Sequence, residues 1–190
     1  MTTRDRSVYN CSRSRCYRCL ELRAKQVLVI GYGSDHCTGR AYEIAYKVGK
    51  EVASRGAVLI TGGLGGVMEA ASKGARDRSG LVVGIIPQDE KHYANTYCDV
   101  VVPTGMGHTR NFITAYSADA VIVVGGGVGT AIEVRVAYLK AKPIVAIKSS
   151  GGTADRIAGT YLDDRRLVKV EFEEEPERAV ERALSLLDKA

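Results

Sequence analysis

The run Gly125-Gly126-Gly127-Val128-Gly129-Thr130-Ala131-Ile132-Glu133 carries the strongest chemical signal in the sequence. An apolar stretch, Ala120–Val124, leads into three glycines; a fourth glycine and a threonine follow. Glycine lets a backbone turn tightly and come close to a ligand. A helix that starts just beyond such a turn offers unpaired N–H groups and the positive end of its dipole, which suits a phosphate. Glu133 then falls in the first turn of that helix. A carboxylate beside a phosphate cradle points to chemistry on a nucleotide. At a helix N-terminus it is expected to stay ionised, as suits a cation stabiliser or base. The spacing Thr130-x-x-Glu133 also fits a capping box, in which the glutamate caps its own helix.

Three further segments share the character of that loop. They are Gly31-Tyr32-Gly33-Ser34, Thr61-Gly62-Gly63-Leu64-Gly65-Gly66 and Pro103-Thr104-Gly105-Met106-Gly107-His108-Thr109-Arg110-Asn111. Arg110 can grip a phosphate or a ribose bidentately, or polarise a departing base. It also fits a surface arginine on an amphipathic helix. His108 reads as an N-terminal helix residue, and Glu69 as either a cap or a ligand contact. Ser34 and Asp35 sit where loop polarity alone would put such residues.

The elements needed to position these loops are plain in the pattern. Strands are expected at Val27–Ile30, Val58–Thr61, Leu81–Ile86, Val100–Val102, Ala120–Val124 and Pro143–Ile147; several are β-branched and apolar on both faces, as in central parallel strands. Helices are expected at about 39–55, 66–77, 108–118, 130–141 and 175–189. Arg55-Gly56, Ser79-Gly80 and Lys142-Pro143 mark helix ends. Strand–helix alternation implies an α/β class: a single-domain, Rossmann-like, doubly wound and mostly parallel sheet with helices on both faces. In such a sheet, ligands bind at the carboxyl ends of the strands, where all four loops fall. The acidic run Glu171–Glu177 leads into the last helix, and Ser149–Thr153 is the one stretch that resembles a linker.

The bulk composition narrows the function classes. The 190 residues are 45% hydrophobic, enough for one domain with a sizeable core. The net charge of +5 comes from residues 1–25, which hold seven basic and two acidic residues; the rest holds 20 of each. The sequence therefore divides into a basic, cysteine-containing arm (1–25) and a nucleotide-binding domain (26–190). A neutral body argues against nucleic acid as a partner, since such binding rests on clustered positive charge. No apolar run reaches the roughly 20 residues needed to span a bilayer, and a cytoplasmic location is the expectation. Cys11, Cys16 and Cys19 show a C-x4-C-x2-C spacing that partly matches an iron–sulfur run; a reduced, metal-free arm is the expectation. An NAD-type fold would need a third glycine after Gly31-x-Gly33 and an acid after the second strand, and both are missing. There is also no G-x-x-x-x-G-K-[ST] loop for a P-loop ATPase.

Three motifs resemble one known family. Thr61–Ala75 followed by Gly84-Ile85-Ile86-Pro87 resembles the GGG-x-x-GLMG…GVIP signature of LONELY GUY proteins. Gly107–Asn111 resembles their M-H-x-R-K, and Gly125–Glu133 resembles their PGG-x-GT-x-x-E. The superfamily also holds the molybdenum-cofactor carriers, proteins mislabelled as lysine decarboxylases and, more distantly, the DNA-processing protein A family. The resemblance covers about residues 26–147. It implies hydrolysis of the N-glycosidic bond of nucleoside 5′-monophosphates, with Arg110 and Glu133 on the catalytic positions and Gly126, Gly127, Gly129 and Thr130 on the phosphate loop. No cofactor is required for that reaction, and no metal site is expected. Gly31, Gly33, Ser34, Gly62, Gly63, Gly65, Gly66 and Met106 complete the expected binding set.

Four residues depart from the motifs: Asn111 stands for lysine, Gly107 for methionine, Gly125 for proline and Glu69 for the last glycine of GLMG. These departures are closer to the carrier branch, which implies as the alternative a non-catalytic carrier of molybdopterin or a related pterin or nucleotide phosphate. A decarboxylase would need a lysine Schiff base to pyridoxal phosphate, and no glycine loop holds a lysine. The helix at 130–141 is apolar nearly all round, which predicts burial or a subunit contact, hence a homo-oligomer, dimer or tetramer.

Overall fold

The structure is a computed structural model and describes residues 23–189. The described residues form seven strands: β1 Gln26–Gly31, β2 Val58–Thr61, β3 Val82–Ile86, β4 Val100–Pro103, β5 Ala120–Val124, β6 Ile144–Ile147 and β7 Glu171–Glu173. Six helices separate and follow them: α1 Gly39–Ser54, α2 Val67–Arg76, α3 Arg110–Ser117, α4 Val128–Leu139, α5 Gly152–Ile157 and α6 Pro176–Leu187. All strands are parallel, in one sheet of order β4-β3-β2-β1-β5-β6-β7. The doubly wound α/β architecture expected from the alternation is the one found.

Both faces of the central strands are apolar because both are covered. Val27, Val29, Leu59, Ile122 and Val145 pack with residues of α1, α2 and α6, such as Val48, Ala71 and Val180. Leu28, Ile30, Val121, Val123 and Ile144 face the other way, onto Val134, Ala137 and Tyr138 of α4 and Ala154 of α5. Each such side chain contributes roughly 1.5–3 kcal/mol by leaving water.

The chain winds outward from β1 to β4 and then returns to lay β5 on the other side of β1. That reversal opens a crevice beyond Gly31 and Val124, which are register partners at the carboxyl ends of the two strands.

Two elements escape the sequence pattern. The acidic Glu171–Glu173 is strand β7, which among the described residues lies at the sheet edge and pairs only with β6. The expected linker Ser149–Thr153 is instead a tight entry into α5. The Gly125 N–H donates to Ser150 Oγ at 2.8 Å, and the Thr153 and Ala154 N–H groups donate to the carbonyls of Gly126 and Gly125. The basic arm, with Cys11, Cys16 and Cys19, lies outside the described residues.

Candidate functional site

The glycine loop after β5 is held from behind. Gly125 and Gly126 take φ of +62° and +100°, backbone that glycine tolerates and other residues resist. Their carbonyls, and that of Gly127, are turned towards α5, where Thr153 Oγ1 donates to Gly127 O at 3.0 Å. The first closed turn of α4 is the Ala131 N–H to Gly127 O bond. The amides of Val128, Gly129 and Thr130 precede it and are the free donors of the helix end. Gly127 is exposed, with open space where a side chain would stand. The Thr130 hydroxyl donates to Gly31 O at 3.0 Å, so its side chain joins α4 to β1.

The expected capping box is not formed. The cap of α4 is Gly127, so Thr130 is the third helical residue and Glu133 the sixth. Glu133 therefore lies one turn deeper than the sequence suggests, and its carboxylate has a tertiary partner instead of a local one. The hydroxyl of Thr114, on α3, lies 2.7 Å from Glu133 Oε1 and 2.9 Å from the Asn111 carbonyl. A hydroxyl has one proton to donate. With Glu133 ionised, Thr114 donates to it. With Glu133 protonated, Glu133 donates to Thr114, which turns its own proton to Asn111 O.

Burial decides the charge of this group. Glu133 was expected to stay ionised at a helix end; burial instead pushes its carboxyl up to about 7, against the Thr114 hydrogen bond and the Arg110 charge, which both pull it down. Arg110 Nη1 lies 4.0 Å from Glu133 Oε1, with both side chains more than nine-tenths buried. Burial likewise draws the guanidinium below its ordinary value, and Glu133 partly restores it. The reading of Arg110 as a surface arginine is thus overturned.

The loop after β2 makes room for that arginine. A side-chain carbon on Gly62 would lie 2.4 Å from Arg110 Nη1 and 2.6 Å from Met68 Sδ. Gly63 (φ +70°) accepts from the Asn95 N–H, which draws the following segment over the loop. Gly66 (φ +71°) caps α2, and a carbon there would strike the Tyr32 carbonyl. Gly65 lies against Ser34 and Glu69. Gly31 is closed in by Val124 and Val67, whereas Gly33 faces open space.

Two cavities flank Leu64. One, of about 340 Å³, is lined by Leu64, Pro87, Gln88, Gly107, His108, Arg110 and Asn111. The other, of about 320 Å³, includes Gly65, Glu69, Tyr93 and Asn95. Met106 is exposed and lines neither. Asn111 is buried, its amide making a long 3.5 Å contact with Gly129 O that links α3 to the first turn of α4. Burial pushes the thiols of Cys37 and Cys98 up, away from thiolate chemistry. Among the described residues there is no cluster of three or more metal-ligating side chains, and no helix long and apolar enough to cross a membrane.

Thr114 and Gln88 are the site residues that sequence reasoning missed. Thr114 lies four residues after Arg110 on α3, a spacing that shares a helix face; Gln88 has no local signal.

The SLOG cluster4 family model matches residues 24–180. The chain belongs to that family. The superfamily expected from the three motifs is therefore the one found. This SLOG cluster4 chain is 46% identical over 127 residues to an uncharacterized protein of Archaeoglobus fulgidus, across 67% of this chain and 82% of that one. It is 35% identical over 119 residues to a cytokinin riboside 5′-monophosphate phosphoribohydrolase of Mycobacterium tuberculosis, across 57% of this chain and 63% of that one. A solved structure similar to it is the molybdenum cofactor binding protein of Rippkaea orientalis, at 32% identity and a TM-score of 0.78, covering 87% of this chain and 99% of that one.

Proposed function

We propose that this SLOG cluster4 protein binds nucleotide phosphates and hydrolyses the N-glycosidic bond of nucleoside 5′-monophosphates, releasing free base and ribose 5-phosphate. The observation that carries this reading is the buried Glu133 carboxyl, brought to about 7 within 4.0 Å of Arg110 and one turn inside the helix that ends the glycine loop. The likeness to the Mycobacterium tuberculosis phosphoribohydrolase supports it.

In this mechanism the amides of Val128–Thr130 hold the 5′-phosphate and so fix the sugar, turning binding energy at the phosphate into orientation at C1′. The bond from C1′ to the base nitrogen breaks, its electron pair leaving with the base. The ribose becomes oxocarbenium-like, and Glu133, ionised, stabilises it and draws a proton from the attacking water. The water oxygen bonds to C1′, and a proton ends on the base. Arg110 neutralises negative charge on the phosphate or on the departing base. No metal or cofactor is needed for this reaction.

The second reading is a carrier of a pterin or nucleotide phosphate such as molybdopterin. Asn111 favours it: a neutral side chain tied to Gly129 stands where the hydrolase motif has lysine. The likeness to the Rippkaea orientalis molybdenum cofactor binding protein supports it. Base released from a panel of nucleoside monophosphates supports the hydrolase. A pterin found by mass spectrometry on the purified protein, with no base released, supports the carrier.

Both readings take a cytoplasmic protein that associates with itself. Phe112 and Tyr116 on α3, and Val128 and Leu139 on α4, form an exposed apolar set on the helices that carry Arg110 and Glu133. A second copy covering that set would stiffen the site from outside.

A further inference from the structure

We propose that the cavity of about 340 Å³ beside Arg110 seats a planar heterocycle, and that Gln88 reads its edge. The Gln88 carbonyl oxygen accepts from a donor on the ring while Arg110 Nε donates to an acceptor beside it. This inference rests on the reading of the glycine loop and Glu133 as a phosphate and sugar site, and names the class of group attached to that sugar.

Buried polar atoms almost always have a hydrogen-bond partner, and leaving one unpaired is costly. Among the described residues, Gln88 Oε1 and Arg110 Nε are the buried side-chain polar atoms that have none. Both belong to side chains that line the same cavity. Arg110 is itself 94% buried, at 6% exposure. The two atoms are complementary in kind: one is an acceptor only, the other a donor only.

Leu64 and Pro87 supply apolar wall to the same space. Small-molecule sites run from roughly 300 Å³ upward and combine apolar walls with a few placed polar groups, and this cavity fits the lower end. A flat ring that carries an N–H or amino donor beside a ring nitrogen or carbonyl satisfies both orphaned atoms at once. Adenine, guanine and pterin edges have that arrangement; a ribose phosphate alone has no flat face for Leu64 and Pro87.

Arg110 joins the two regions: it lines the cavity, and its Nη1 lies 4.0 Å from Glu133 Oε1. Gln88 is a specificity residue in this account, acting on the ring and not on the reacting bond.

The test uses the full chain carrying Glu133→Gln, so that nucleotide is not consumed, with and without Gln88→Met, which keeps the length of the side chain and removes the acceptor. Titration calorimetry is run with AMP, with purine riboside 5′-monophosphate, which lacks the exocyclic amino donor, and with ribose 5-phosphate, which lacks the ring. A phosphorylated 6-hydroxymethylpterin in place of AMP separates the two ring classes. Gln88→Met is expected to raise Kd about tenfold for the ring the cavity takes. Ribose 5-phosphate should bind within twofold of the parent, and any preference for AMP over purine riboside monophosphate should vanish.

A Gln88→Met penalty on neither ring overturns the inference and leaves the phosphate and sugar reading intact, because the parent still binds. Equal loss for ribose 5-phosphate and the ring-bearing ligands also overturns it, by giving Gln88 a merely structural role. If the parent binds none of the four ligands, the underlying reading falls and this inference with it.

Discussion

Glu133 Oε1 and Arg110 Nη1 stand 4.0 Å apart, too far for a direct hydrogen bond and close enough for strong attraction between buried charges. The carboxylate takes its hydrogen bond from Thr114 instead, which leaves the arginine free to turn to a ligand.

Glu133→Gln should stabilise the protein at alkaline pH. The folded carboxyl titrates at about 7, against 4.5 for an unperturbed glutamate, so the folded state holds the proton more tightly. A raised folded value gives stability that is fully present below about 4.5 and is lost as pH rises through about 7. At pH 8 the wild type bears the full cost of a buried carboxylate, roughly 3 kcal/mol at about 1.4 kcal/mol per unit. Thermal melts should show the variant several degrees above wild type at pH 8 and close to it at pH 5. A constant gap across that range would mean that Glu133 does not titrate there.

Thr114→Val should shift the pH dependence of the reaction upward. The hydroxyl favours the ionised carboxylate, so its loss lets burial raise the group above 7. The account needs the ionised form, so kcat/KM should rise with pH through about 7 in the wild type and through a higher value in the variant. An unmoved midpoint would show that another group controls the profile.

Gly62→Ala should disable the site and spare the fold. The new carbon meets the ends of two flexible side chains, Arg110 and Met68, which can swing aside. Nucleotide affinity or turnover should fall at least tenfold, with Tm lowered by only a few degrees. Full activity would mean that Arg110 acts from a different position.

Self-association should depend on the outer faces of α3 and α4. Phe112 is 44% exposed, Tyr116 54%, Val128 80% and Leu139 54%, large apolar side chains that a second copy would cover. Sedimentation velocity should find at least a dimer for the wild type and a monomer for Phe112→Asp combined with Leu139→Asp. A monomeric wild type would remove the subunit contact.

Much of this was readable from the residues alone because the signals were local. The parallel strands announced themselves through runs such as Val27–Ile30, which are apolar on both faces. The loops announced themselves through glycines that the backbone requires at Gly126 and Gly66. What failed was whatever tertiary contact decided. Thr130-x-x-Glu133 has the spacing of a capping box, but the helix starts two residues earlier, and both side chains reach across to other elements, Thr130 to β1 and Glu133 to α3. The burial that raises the Glu133 carboxyl is equally invisible in local sequence, where the helix end alone favours the ionised form. β7 was hidden because an edge strand with one partner needs no apolar run, and α5 because Gly151 and Gly152 look like a linker until the turn they make is seen.

The most direct measurement is base release from nucleoside 5′-monophosphates by the full chain, following free base and ribose 5-phosphate together. The account predicts the two products in equal amounts from at least one nucleotide. It also predicts a rate that falls by about a hundredfold or more in Glu133→Ala and in Arg110→Ala, as expected when charge stabilisation at the reacting centre is lost. No base released from any nucleotide of the panel, or release that survives both substitutions, would contradict it.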